Sequence, residues 1–123
     1  MNTELDELYE DGLMINRMLR DIKKMLYKRS QSPLKIYEEI DMTNKIAKML
    51  LRRVDKYKFK NIKLTPVEDV YLNEITATIN TVKCIYEEAS NYINKSDDVF
   101  YKEMNSLLMC DPYLMEYRFD IIS

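Results

Sequence analysis

The sequence predicts an all-α fold, an antiparallel bundle of four main helices with a short C-terminal helix. Glycine occurs once and proline three times, which is too rare for a loop-rich or many-turned β fold. Apolar residues instead recur at alternating spacings of three and four, as they do on one face of an α-helix. The chain has 123 residues, so we expect residues 1–123 to form a single helical-bundle domain.

The first helix is predicted from Thr3 to near Arg29, where the sequence Ser-Gln-Ser-Pro follows. Its apolar stripe comprises Leu5, Leu8, Ile15, Leu19, Ile22 and Leu26. Gly12 occupies the one missing place in this stripe. Two interpretations of Gly12 stay open, a glycine tolerated at a kink or a close helix crossing within the chain or with a partner.

The second helix is predicted to begin after Ser32, an N-cap residue followed by Pro33 in the first helical position. Its stripe comprises Ile36, Ile40, Thr43, Ala47, Leu50, Val54 and Tyr57. We expect this helix to end near Lys58. Residues 59–64 alternate apolar and basic side chains, which favours an extended connector.

The strongest local signal for a helix start lies at residues 65–68. Thr65 can cap the helix, Pro66 sets the φ angle of the first helical residue, and Glu68 can hydrogen-bond back to the backbone amide of the cap residue. The third helix therefore begins here. Its wide apolar face comprises Tyr71, Ile75, Thr78, Val82, Ile85, Ala89 and Tyr92, with a second row at Leu72, Ile79, Tyr86 and Ile93.

Residues 94–97 end the third helix and cap a fourth helix, which has Phe100, Met104, Leu107 and Leu108 on its inner face. Pro112 interrupts that helix, and residues 113–119 are expected to fold back as a short helical turn.

Three helices of roughly 27 residues would each be about 40 Å long at the α-helical rise, which favours an elongated antiparallel bundle. The stripes repeat over several heptads and would also suit pairing between chains. A closed monomer and a homodimer that uses part of these faces both remain open.

The charge is strongly segregated along the chain. Residues 1–15 carry five acids and no base, residues 16–63 carry fifteen bases against five acids, and residues 64–123 carry four bases against eleven acids. The total of −2 conceals this pattern. Such a chain either pairs its segments internally or offers a basic face to an anionic partner.

The basic segment contains the candidate contact residues. Lys45, Lys48, Arg52 and Lys56 follow helical spacing on the face away from the apolar stripe and predict an exposed basic ridge. We predict a partner-binding set of Lys45, Lys48, Arg52, Arg53, Lys56 and Tyr57. Three interpretations compete: a solvated ridge partly neutralised by Glu74, Glu87 and Glu88; a face for an acidic protein surface; and a nucleic-acid face on which Tyr57 and Phe59 stack on bases.

Familiar catalytic chemistry is excluded by residues that are missing. The chain has no histidine, so Ser-His-Asp and Cys-His catalysis, HExxH zinc sites and ExxH di-iron ligation are impossible within it. A single glycine excludes glycine-rich phosphate loops. We therefore expect no enzyme, no cofactor and no metal. Cys84 and Cys110 are interpreted as buried free thiols, with a disulfide or a reactive thiol as the alternative.

The expected function is binding without catalysis, as a regulator, adaptor or inhibitor that docks on another protein. The alternatives are a nucleic-acid-associated protein that adds Lys58, Lys60 and Lys63 to the ridge, and a structural or assembly subunit. The ten tyrosines, several of them off the stripes, also favour an interface. No long apolar run occurs, so we expect no membrane partner and an intracellular, cytoplasmic location. Frequent Lys, Asn, Ile and Tyr hint at an AT-rich genome, as in many phages, large DNA viruses and low-GC bacteria, and a viral origin would make the host cell the location.

Overall fold

The computed structural model describes residues 3–109, which form four α-helices joined by short connectors. Helix α1 spans Thr3–Lys28, α2 spans Pro33–Lys60, α3 spans Pro66–Tyr92 and α4 spans Asp97–Met109. Helices make up 88% of the described residues and no strand occurs among them, which confirms the all-α bundle. The short helix predicted over residues 113–119 lies outside the described residues.

The helices pack as an antiparallel bundle in which every pair is in contact, with the α1–α2 and α2–α3 pairs packed most extensively. Two contacts define the relative alignment of these pairs. Arg53, late in α2, forms an ion pair with Asp11, early in α1. Tyr37, early in α2, shares a 3.1 Å hydrogen bond between its hydroxyl and that of Ser90, late in α3. Helix α4 has 13 residues and packs chiefly against α1 and α3.

The interior consists of the stripes that the helical spacing predicts. All six predicted apolar residues of the first stripe are buried, as are all seven members of the second stripe from Ile36 to Tyr57. Gly12 is also buried, and α1 continues unbroken through it. The surface of Gly12 is therefore enclosed within one chain, so it cannot serve as a crossing point with a second copy.

Side-chain caps fix where α2, α3 and α4 begin. At α4 the Ser96 hydroxyl accepts a 3.3 Å hydrogen bond from the Val99 amide. The Ser32 hydroxyl accepts a 3.3 Å hydrogen bond from the Lys35 amide, and Pro33 is the first residue of α2. At α3 the Glu68 amide donates to the Thr65 hydroxyl over 3.2 Å, while the Thr65 amide donates to Glu68 Oε1 over 3.1 Å. This reciprocal capping box confirms the strongest local signal in the sequence.

The connector after α1 is closed by a residue with a left-handed backbone. Arg29 has a φ of 49°, and the Ser30 amide donates a 3.2 Å hydrogen bond to the Met25 carbonyl. This pattern is that of a Schellman C-cap, in which glycine is the usual residue because other side chains cost about 1 kcal/mol there. Arg29 offsets the cost with side-chain contacts: Nη1 lies 3.3 Å from Asp98 Oδ1, and the guanidinium lies 4.9 Å from the Tyr101 ring centre.

Two substitutions at Arg29 separate these opposing effects. Arg29→Ala is expected to lower the free energy of unfolding by about 0.5–1 kcal/mol, because it loses both contacts and keeps the backbone strain. Arg29→Gly loses the same contacts but removes the strain, so it should be more stable than Arg29→Ala by about 1 kcal/mol. Urea unfolding measures both changes. Equal stability of the two variants would contradict the assigned strain.

Two details of the structure differ from the sequence-based expectations. Helix α2 continues to Lys60, so Phe59 lies on the helix and the connector is shorter than predicted. Cys84 is an exposed free thiol, not a buried one. Its position is two residues after the buried Val82, which places it about 200° around α3 and away from the core. Cys110 lies outside the described residues.

Candidate functional site

The predicted basic ridge lies on the outer face of α2. We call five basic residues of this face the α2 ridge: Lys45, Lys48, Arg52, Arg53 and Lys56. All five are exposed. They share this face because residues three and four apart in a helix are neighbours on its surface. Helix α2 holds the face rigidly, since the opposite side of the helix is buried from Ile36 to Tyr57.

Internal ion pairs neutralise only part of the ridge. The Lys45 ammonium lies 3.0 Å from Asp41 Oδ2 on the same helix, and Arg53 pairs with Asp11 of α1. Within residues 3–109, no carboxylate lies at ion-pair distance from Lys48, Arg52 or Lys56. The predicted neutralisation by three acids of α3, namely Glu74, Glu87 and Glu88, is absent from the described ion pairs of the ridge.

Tyr57 belongs to the core and not to the ridge. Its side chain is 0% exposed, so the ring cannot act as a contact surface or stack on a base in the folded bundle. The hydroxyl donates a 2.7 Å hydrogen bond to Glu68 Oε2. This bond, followed by the bonds from Thr65, lowers the pKa of the Glu68 carboxyl below its ordinary value. Tyr57 had been predicted both in the apolar stripe and in the contact set, and only the stripe prediction agrees with its burial.

Exposed apolar side chains accompany the ridge, and the sequence analysis did not single out the two methionines among them. Met42 and Met49 are 53% and 63% exposed, and Phe59, between Lys58 and Lys60, is 86% exposed. Met49 lies one helical turn from each of Lys45, Arg52 and Arg53. Its departure from the Ile36–Tyr57 stripe was the available signal, because an apolar residue off the stripe must face solvent or a partner.

The tyrosines that lie off the predicted stripes contribute less surface than expected. Tyr37 is half-buried and stacks on Tyr86, with ring centres 5.9 Å apart. Tyr101 is buried, and its hydroxyl donates to the Gln31 carbonyl. Tyr117 lies outside the described residues. The well-exposed tyrosine of the described helices is Tyr27 near the end of α1.

No arrangement for metal binding occurs in the described part of the chain, where no three Cys, Asp or Glu side chains are grouped to hold an ion. Two pairs of adjacent glutamates, Glu38–Glu39 on α2 and Glu87–Glu88 on α3, do not form such a group. Glu38 and Glu87 are exposed, while the Glu39 carboxylate lies 3.5 Å from the Lys35 ammonium.

Across residues 3–109, no helix combines the length and apolar character needed to cross a membrane.

The fold and surface together define a small all-α bundle with a basic, partly apolar helix face. Comparisons with protein-family models, curated proteins and solved structures give no match to this chain. The surface chemistry of α2 is therefore the basis for a functional proposal.

Proposed function

We propose that this protein is a non-catalytic regulator, adaptor or inhibitor that docks through the α2 ridge on an acidic surface of another protein. One observation carries the proposal: Lys48, Arg52 and Lys56 are exposed on one helix face without a carboxylate partner in the described residues. A bundle that used its charges only for internal pairing would hold carboxylates at ion-pair distance from these three side chains.

The exposed methionines support docking on a protein. A purely electrostatic face gives fast association but little affinity, because exposed ion pairs contribute about 0–1 kcal/mol each. Met42 and Met49 add apolar area at the edge of the ridge. Protein interfaces are enriched in methionine and arginine and depleted in lysine, so Arg52 and Met49 are the expected centre of the contact, with the lysines around them.

A nucleic-acid-associated function is the second candidate, and Phe59 favours it. This ring is almost fully exposed and is flanked by Lys58 and Lys60, an arrangement suited to stacking on an unpaired base. The burial of Tyr57 removes the second stacking residue. In addition, the acidic first turns of α1 and α3 lie at the same end of the antiparallel bundle and would repel a polyanion.

Reversing the unpaired charges tests the proposed docking. The ridge variant combines Lys48→Glu, Arg52→Glu and Lys56→Glu. The control variant makes the same change in net charge at three other exposed positions, with Lys24→Glu, Lys28→Glu and Lys95→Glu. Peptides selected from a random phage library serve as probes. The protein is immobilised through Cys84, on the outer face of α3, after Cys110→Ser.

We expect the selected peptides to be acidic, the ridge variant to bind them at least about tenfold more weakly, and the control to change by less than about twofold. Circular dichroism should show unchanged helicity in both variants. Equal losses in both variants, or no loss in the ridge variant, would contradict docking through α2. Tighter binding of a fluorescent DNA strand that vanishes with added salt would instead support the second candidate.

A further inference from the structure

Helices α1 and α2 pack extensively against each other, and we call the surface along this contact the α1–α2 groove. The Arg53–Asp11 ion pair crosses this groove and sets the antiparallel alignment of the two helices. Because the helices are antiparallel, residues that follow Asp11 in α1 lie beside residues that precede Arg53 in α2. Met14, three residues after Asp11, therefore lies beside Met49 and Leu50 of α2. The same counting places Met18 beside Ile46, one turn further along.

Methionine is frequent along this contact, and we call these methionines the floor of the groove. Helix α1 contributes Met14, Met18 and Met25, and helix α2 contributes Met42 and Met49, which together are five of the nine methionines in the chain. Met14, Met42 and Met49 are exposed, and Met18 and Met25 are half-buried. A methionine side chain is unbranched and polarizable, so such a floor adapts to partners of different shape.

The two rims of the groove differ in charge. The rim on α2 is basic, with Lys45 and Arg52 one turn from Met49 and Lys56 one turn beyond Arg52. The rim on α1 is mixed, with exposed Glu10, Arg17 and Asp21. An apolar strip with one basic edge is complementary to a helix that has an apolar face and acids along one flank.

We infer that the α1–α2 groove binds an amphipathic helix with one acidic flank, its apolar side chains lying on the methionine floor and its acids facing the α2 ridge. This inference rests on the proposed docking function and adds the shape and chemistry of the partner. An extended acidic segment would reach the ridge but would leave Met14 and Met49 exposed, whereas a helix spaces its apolar side chains to cover both.

The probes are two synthetic peptides of identical composition, about 18 residues long so that each spans the groove as a helix. The first places leucines at helical spacing with glutamates along one flank, and the second has the same residues in an order without amphipathic character. Their fluorescein-labelled forms are titrated with the full-length protein, and anisotropy reports binding. The groove variant is Met14→Gln with Met49→Gln, and the control is Val67→Thr with Val70→Thr, two exposed apolar positions on α3.

We expect the amphipathic peptide to bind at least about tenfold more tightly than the scrambled peptide, because only the helix buries apolar area. The groove variant should lose at least about tenfold in affinity for the amphipathic peptide, and the α3 control should change by less than about twofold. Circular dichroism and thermal unfolding confirm that each variant is folded.

Other outcomes overturn the inference in distinguishable ways. Equal binding of both peptides, lost when the α2 ridge is reversed, would leave docking intact and exclude the helical partner. Failure of both peptides to bind, with the phage-selected peptides still bound through the α2 ridge, would exclude the helical partner alone, whereas loss of the phage-selected peptides as well would contradict docking. A dimeric mass in light scattering that becomes monomeric in the groove variant would show a second copy in the groove. Displacement of the probe by a peptide of residues 110–123, which carry three acids and one base, would identify this chain's own C-terminal segment as the occupant.

Discussion

Replacing Tyr57 with alanine is expected to lower the free energy of unfolding by about 3–5 kcal/mol, as for other large buried aromatic side chains. Tyr57 is one of the largest fully buried side chains in the described core and lies near the end of α2. Its removal leaves a cavity that two packed helices cannot readily close. Chemical denaturation monitored by circular dichroism measures the loss. Phe59→Ala is the matched control, because Phe59 is exposed two residues away and should change stability by less than about 0.5 kcal/mol.

Tyr57→Phe tests the hydroxyl separately and predicts a dependence on pH. The bond from Tyr57 is the largest cause of the lowered Glu68 pKa, so the ionised carboxylate stabilises the folded state. This contribution is fully present above the ordinary carboxyl pKa of 4.5 and disappears as the pH falls through the lower folded-state value. The stability difference between the native protein and Tyr57→Phe should therefore be largest near neutral pH and shrink in acid. A difference independent of pH would contradict the assigned bond.

Asn16→Leu is expected to raise the free energy of unfolding by about 1–2 kcal/mol, because a buried polar atom without a hydrogen bond is destabilising. Asn16 is 2% exposed within the apolar face of α1, and its Oδ1 atom has no hydrogen-bond partner among the described residues. Thr43→Val is the matched control. Thr43 is equally buried, but its hydroxyl donates a 2.8 Å bond to the Glu39 carbonyl, so its loss should give no gain.

The same variant reveals whether Asn16 specifies helix alignment. A buried polar side chain can favour one arrangement of packed helices at some loss of stability. If so, Asn16→Leu will be more stable but will show poorer dispersion of its nuclear magnetic resonance signals. Lower stability than the native protein, with Thr43→Val unchanged, would contradict the unsatisfied Oδ1 as a source of instability.

The helices and the core follow from the sequence because their signals are local. Ser32, Thr65 and Ser96 cap helices with their own side chains, and the stripes of the first and second helices coincide with buried faces. The predicted face of the third helix is buried except for four partly buried members, Tyr71, Tyr86, Tyr92 and Ile93. Such features depend on residues three or four apart. Cys84 shows the limit of this approach, because an apolar neighbourhood in sequence does not determine which side of α3 a residue occupies.

The candidate site was predicted less completely because its properties depend on pairs distant in sequence. The exposure of Lys48, Arg52 and Lys56 could be predicted from spacing on one helix. The pairing of Arg53 with Asp11, separated by 42 residues, could not, and neither could the groove that this pair crosses. Tyr57 shows the conflict directly: its position within KYKFK suggested a binding residue, whereas its place in the stripe indicated the core.

The Glu68 carboxylate has a further consequence for how the chain folds. One of its oxygens accepts from the amide of Thr65, the cap residue just before α3, and the other accepts from the Tyr57 hydroxyl near the end of α2. These partners are only three and eleven residues away, so the α2–α3 hairpin can close with little loss of chain entropy. We therefore expect this hairpin to form early in folding, before α1 and α4 dock onto it. In folding kinetics, substitutions at Thr65 and Tyr57 should then give φ-values, the ratio of the change in the folding barrier to the change in stability, that are high.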